Sequence, residues 1–518
     1  MILKNKTSFS YDISFQKVFQ TNFRHKITVC MVLSFIFHID IIHFGIYNRR
    51  RIFLLLGGLI LLFNSYPFIF VYLPIVFAAF FLTAKYISHR AATFTLVLAS
   101  FAFYGYWDIK YVPLLFGSIC FNYFIGRQLD KYTKSKFWLV MGLGINILLL
   151  GYFKYTDFFL TTLNDINGGA RVFELPNIVL PLGISFFTFT QSAYLVDAYR
   201  KEAAPHDFLT YCEFVTIFPH LIAGPIINHK EMIPQFITEK TFHIDYKNIA
   251  LGLTIFTFGL FKKVVIADKL AIWANEAFSH VSSLTCTEAW VGALGYTLQL
   301  YFDFSGYSEM AIGLALLFNL KMPINFNSPY QSRSIIDFWR RWHMTLGLWV
   351  KNYLYIPMGG NRHGELSKMR NLFASMLIIG LWHGAGWTFV IWGGLHGILL
   401  MINHQWRRMN ISLPKVLNWS ITFLCVVICW VFFRAESFSD AISVLSSMGD
   451  YHTFGRTGLK TLAALCITVG ALTVIPNPIQ LLKKAIFPSI KWEMATILLL
   501  VLSILCIQAD SPFLYFQF

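Results

Sequence analysis

Two histidines stand out as the residues able to do chemistry. His383 lies in LWHGAGWTFVIWGGLHG (381–397), between two apolar stretches and beside Gly384 and Gly386. An ionisable side chain at membrane depth is costly, so it is normally enclosed in protein or lines a cavity, and normally has a function. His343 comes earlier, in FWRRWHMTLGLW (338–349), among aromatic and basic residues. No cysteine or carboxylate cluster accompanies either ring, so the pair points to proton transfer and not to a metal site. A dry environment favours the neutral imidazole, because desolvation penalises the charged form.

The elements that must hold these rings are membrane helices. The 518-residue chain is 56% hydrophobic and 13% charged, with a mean hydropathy of +0.57, outside the range of soluble domains. Fifteen apolar runs, from 52–64 to 494–509, approach the roughly 20 residues that cross a bilayer as helix. Some are interrupted by Pro or Gly and read as re-entrant, which leaves about eleven to thirteen full spans. The fold class is therefore an all-α polytopic bundle, with re-entrant and interfacial helices around a central funnel or tunnel. The net charge of +16 does not indicate nucleic acid, because the basic residues sit in short loops between apolar runs. Cys30, Cys120, Cys425, Cys429, Cys466 and Cys506 lie in apolar runs and no CxxC occurs, so neither a disulfide framework nor zinc is indicated. Residues 1–26 lack the features of a cleaved secretory signal.

Loop charge sets the orientation. RQLDKYTKSK (127–136) holds four basic residues against one acid and belongs on the cytoplasmic side, while 156–177 is net acidic and belongs outside. The loops 405–415 and 481–491 are basic and 434–460 is mixed, so the last residues, DSPFLYFQF, are expected on the outer side. Segment 321–370 is different in kind, too polar to span and too aromatic to be a free loop. On a helical wheel Ile335, Phe338, Trp339, Trp342, Leu346 and Trp349 share one face, with Asp337, Arg340 and Arg341 opposite. One amphipathic helix at the interface, or at the rim of a cavity, is expected, with His343 at the border of its two faces.

Beyond these patterns, several segments together resemble the membrane-bound O-acyltransferase superfamily. The likeness is greatest to its bacterial alginate O-acetylase branch, and the peptidoglycan O-acetyltransferase membrane subunits are also similar. The matching stretches are LLFNSYPFIFVYLP (61–74), PLGISFFTFTQSAYLVDAYR (181–200), FPHLIAGPI (218–226), YFDFSGYSEMAIGLALLFN (301–319), FWRRWHMTLGLWVKNYLYIPMGGNR (338–362), the His383 segment, WVFFRAESF (430–438) and FLYFQF (513–518). They begin near Leu61, so residues 1–60 read as an amino-terminal extension, an extra anchor or a misassigned start, ahead of an acyltransferase membrane domain at 61–518. The resemblance implies that His383 is the superfamily's invariant histidine and His343 its second polar position. It also implies an acyltransferase of the bacterial inner membrane, with no permanently bound cofactor. The acyl group, acetyl above all, would come from a cytoplasmic donor such as acetyl-CoA or another thioester. A periplasmic SGNH-type or similar acyltransferase would then place it on an envelope polysaccharide such as alginate or peptidoglycan.

Each site residue has a plainer reading beside the functional one. His343 either orients donor or acceptor, or is a border residue bonded to Asp337 or solvent. Arg340 and Arg341 either receive the phosphates of coenzyme A or are basic anchors of the cytoplasmic side. His396, thirteen residues after His383, lies about 220° away on a continuous helix and is expected to be structural. Asp303, Ser305 and Glu309 sit in an apolar region, where an acid needs a partner or water. Tyr515 either anchors the chain in an aromatic belt or carries the acyl group, as proposed for a similar carboxyl-terminal motif in related envelope-acylation systems. A transporter is disfavoured because no repeated halves with paired broken helices are seen. A polysaccharide polymerase is disfavoured because the outer loops lack a repeated pair of acids.

Overall fold

The structure is a computed structural model that describes residues 61–169, 172–456, 458–475, 477, 490–508, 511, 513 and 514. The amino-terminal extension 1–60 and Tyr515 lie outside the described residues. Helices account for the architecture, and no strand occurs among the described residues. In chain order they are α1 (Pro67–Tyr86), α2 (His89–Gly105), α3 (Ile109–Lys131), α4 (Lys136–Ile166), α5 (Ile184–Tyr199), α6 (Phe208–Thr216), α7 (His229–Phe236), α8 (Tyr246–Ser279) and α9 (Cys286–Leu317). There follow α10 (Ile335–Trp339), α11 (Met344–Val350), α12 (Gly364–His383), α13 (Trp387–Arg408), α14 (Lys415–Arg434), α15 (Phe438–Gly449), α16 (Leu459–Val474) and α17 (Ile490–Leu505).

Five of them, α1, α3, α4, α8 and α14, are both long and apolar enough to cross a membrane. Helices α12 and α13 reach spanning length with 20 and 22 residues, but carry more polar groups. The outer helices show what they face. Val140, Ile147 and Leu148 of α4 and Ile75 of α1 are exposed, as side chains against lipid should be. Helix α9 is the opposite, buried along almost all of its 32 residues. Its start is fixed by a capping box in which Thr285 and Glu288 satisfy one another's backbone N–H.

Close packing brings α8 onto α9. A Cβ on Gly306 would lie 2.7 Å from the carbonyl oxygen of Gly259, and one on Gly259 would lie 2.5 Å from that of Gly306. Such contact requires residues without side chains. It also brings two acids of α9 to two lysines of a π-helical turn in α8, Lys262–Ala267. Lys263 Nζ lies 2.5 Å from Asp303 and 3.0 Å from Asp268, and Lys262 Nζ lies 2.6 Å from Glu309. Asp303 and Glu309 therefore have the partners that their burial demands. On the other side of the bundle, amide pairs between Asn122 and Asn146 (2.8 and 3.0 Å) join α3 to α4.

Among the described residues, basic side chains gather on one face. Lys201 donates to the carbonyls of Leu129 and Asp130, and Arg200 to that of Asn352. Arg408 at the end of α13 pairs with Glu365 at the start of α12, 3.1 Å away. Lys368 hydrogen-bonds Glu365, and together with Arg408 holds its carboxyl below the usual carboxylate range. On the other face the start of α9 meets the turn after α15, where the backbone N–H of Cys286 donates to Thr453, and the end of α14 meets α8, where Arg434 donates to Asn275.

Candidate active site

Two hairpins enter from the basic face, and each carries one histidine at its tip. The longer is α12 and α13. Twenty residues at 1.5 Å each take α12 about 30 Å from Gly364, and His383 is its last residue. Gly384–Gly386 then break the helix, and α13 returns to Arg408. The shorter hairpin is α10 and α11. Ile336 N–H donates to Asn403 near the basic end of α13, Trp339 lies level with His396, and past the turn α11 leads back to Asn352 at the basic face.

This corrects the expectation of one amphipathic helix over 335–349. The chain turns sharply at 340–343, and His343 has φ 44° and ψ 53°, the left-handed region. A helical wheel still groups Ile335, Phe338, Trp342 and Leu346 as buried residues, because the two short helices fold onto the same core. The turn converts a border residue into a buried tip. His343 has no exposed surface. Asp337 bonds Arg341 at 3.0 Å, the expected i,i+4 pair, and does not bond His343.

The tips meet. The rings of His343 and His383 have centroids 6.5 Å apart, with Trp382 beside both. His343 Nδ1 lies 3.0 Å from Asn325 Oδ1, and its ring meets Phe304 edge-on at 4.8 Å. His383 packs against Trp392 (5.1 Å) and Phe433 (5.3 Å). At the carboxyl end of α12, Lys154 Nζ donates to the carbonyls of Trp382 (2.5 Å) and His383 (3.1 Å). The Tyr155 hydroxyl donates to that of Leu381 (2.8 Å). These are carbonyls that a helix end leaves unsatisfied, and a cation there also suits the helix dipole. Lys154 belongs to a π-helical turn in α4, Gly151–Tyr155. A lone lysine inside the apolar run of α4 was a legible signal of this site, whereas nothing in the sequence around Asn325 marked it.

Gly384 has no side chain, so another group can approach closely beside His383. The group it admits is the protein's own Phe389, whose ring would lie 2.1 Å from a Cβ at that position. His396 does not sit on a continuous helix with His383, so the angular argument against their sharing a site does not apply. It contacts Trp392 at 4.8 Å, on the ring that also contacts His383, and accepts from Trp339 Nε1 at 3.3 Å. That bond gives it a structural role in the aromatic core. Arg340 is exposed at the end of α10, while Arg341 is engaged by Asp337.

The carboxyl-terminal segment also reaches this region. Phe513 and Leu514 are buried and do not lie along the outer surface of the bundle. Leu514 N–H donates to Asp303 (3.0 Å), and the Phe513 ring stacks on Tyr307 and contacts Phe304, the ring that touches His343.

The chain that builds this site is matched by relatives along most of its length. The profile of the MBOAT, membrane-bound O-acyltransferase, family matches residues 161–435, a stretch that contains both hairpins. The chain belongs to this family. As an MBOAT protein it is an enzyme, a membrane O-acyltransferase. It is 49% identical to the peptidoglycan O-acetyltransferase of Helicobacter pylori, over 75% of this chain and 80% of that one. It is 42% identical to the probable alginate O-acetylase of Pseudomonas aeruginosa, over 80% of each chain. A more distant MBOAT relative is the teichoic acid D-alanyltransferase of Bacillus subtilis, 27% identical over 49% of this chain and 67% of that one.

Proposed function

We propose that the protein is an inner-membrane O-acetyltransferase that exports acetyl groups for an envelope polysaccharide, of the alginate or peptidoglycan kind that its relatives are named for. The observation that carries this reading is the meeting of His343 and His383 at the tips of two hairpins that both start from the basic face. The donor, acetyl-CoA or another acyl thioester, approaches from that face. There the exposed Arg340 offers a guanidinium fork for phosphate, with Arg341 beside it.

At the tips, neutral His383 accepts the proton of an acceptor hydroxyl as that oxygen attacks the thioester carbonyl. The tetrahedral intermediate collapses with loss of the C–S bond, and the thiolate leaves and takes up the proton. His343 orients the reacting groups. Tyr515 is the candidate internal acceptor, because it directly follows Leu514, whose backbone is tied to Asp303. A separate SGNH-type acyltransferase on the outer side then moves the group to the polymer, since among the described residues the outer loops bring no Ser, His and Asp side chains together in a triad.

A chromosomal His383→Ala replacement tests the reading. It should abolish polymer-bound acetate while membrane abundance stays near that of the parent. Near-normal acetylation would refute the assignment. Tyr515→Phe in the same background retains the ring and removes the nucleophile, so undiminished acetylation there would reduce Tyr515 to an anchor and leave His383 in place.

A further inference from the structure

The contacts around His343 extend this reading from the histidine to the residue that holds it. We infer that Asn325 is a positioning residue, which fixes His343 in the tautomer whose Nε2 carries the lone pair and can accept a hydrogen bond from the groups it orients. The inference rests on the proposed role of His343 at the site.

The orientation of the Asn325 amide follows from its neighbours. The backbone N–H of Thr345 points to the Asn325 side-chain oxygen at 3.4 Å, and the Thr345 hydroxyl donates to the same atom at 3.0 Å. A backbone N–H has no acceptor capacity, so the amide atom facing it must be oxygen and not nitrogen. The Asn325 Nδ2 in turn donates to Ser308 at 3.3 Å. An amide oxygen only accepts, so the nitrogen of His343 that meets it at 3.0 Å, Nδ1, must be the one bearing hydrogen. In a neutral ring Nε2 then carries the lone pair. All four side chains are buried, and Asn325 is 1% exposed, so water does not compete for these bonds.

The same residue holds the tip by its backbone. Met344 N–H donates to the Asn325 carbonyl at 2.9 Å, and Asn327 N–H to the Arg341 carbonyl at 2.9 Å. His343 is a non-glycine residue in the left-handed region, which surrounding contacts must hold in place. Asn325 supplies both requirements, the backbone turn and the ring's tautomer. A neutral amide does so without raising the imidazole's affinity for protons, as a carboxylate in its place would.

Asn325→Asp separates this role from packing. The side chain keeps nearly the same shape and still accepts from Nδ1, but its charge favours the protonated ring. Polymer-bound acetate is measured in permeabilised cells supplied with acetyl-CoA across a pH series, with enzyme abundance measured alongside. The acid limb of the Asn325→Asp profile should move to higher pH, because a protonated His343 has no lone pair on Nε2 with which to orient a reacting group by accepting its hydrogen bond. Asn325→Ala should lose about tenfold or more in rate at every pH. If Asn325→Ala fails to accumulate, the Asp variant decides alone. An unmoved acid limb in Asn325→Asp at normal abundance overturns the inference, even where His343→Ala is inactive. Full activity of His343→Ala would instead remove the role of His343 itself, and this inference with it.

Discussion

The two hairpin tips hold their histidines by different means. His343 sits in a strained turn between two short helices, and a neutral amide bonds its ring. His383 ends a full-length helix, and there the polar contacts of Lys154 and Tyr155 fall on backbone carbonyls while aromatic rings surround the imidazole. The first arrangement controls which nitrogen carries hydrogen. The second controls where the ring is. A charge near a backbone changes position with little effect on tautomer, whereas a side-chain bond to one ring nitrogen dictates the state of the other.

The largest contrast should come from the histidines themselves. If His383 is the base, His343→Ala should leave some activity where His383→Ala leaves none. A residual polymer acetylation reduced by about tenfold or more fits a group that orients the reaction. An unchanged rate in His343→Ala would return it to a purely structural place, and the difference between the tips would lose its meaning.

Lys154→Met sharpens the comparison from the other tip. It leaves two buried carbonyls of α12 without their donor, at a cost of about 1–3 kcal/mol. Polymer acetylation should fall by roughly the tenfold that 1.4 kcal/mol represents. Undiminished acetylation at normal abundance would show that the end of α12 does not need this donor.

A smaller effect is expected at the entry to the hairpins. Arg340→Ala should raise KM for acetyl-CoA severalfold with little change in kcat, because a donor phosphate is a remote contact. Arg341→Ala should do less, since Asp337 already occupies its guanidinium. Equal effects would mean that both act only as basic anchors. The smallest effect is expected from removing residues 1–60, because the matching motifs begin near Leu61. A chain starting there should retain polymer acetylation once inserted. Loss of activity at normal abundance would give the extension a part in the site.

The fold class was legible because apolar runs of spanning length have few alternatives to helix in lipid. The helix over 335–349 was misread because a wheel assumes continuous helical dihedrals. Two helices folded back on one core bury the same residues, so the pattern survives a turn that the wheel does not register. His396 was judged on the same assumption of continuity, which Gly384–Gly386 break.

Residue types and membrane depth therefore determined, from sequence alone, that His343 and His383 were the groups to watch, and that Asp303 and Glu309 needed partners. Tertiary structure decided who those partners are. Asn325 meets His343 across 18 positions, Lys262 meets Glu309 across 47, and Lys154 reaches the carbonyl of His383 across 229. Burial makes a partner necessary wherever a polar group is placed, and that requirement can be read locally. Which partner arrives depends on how helices far apart in the chain pack, and no local pattern records it.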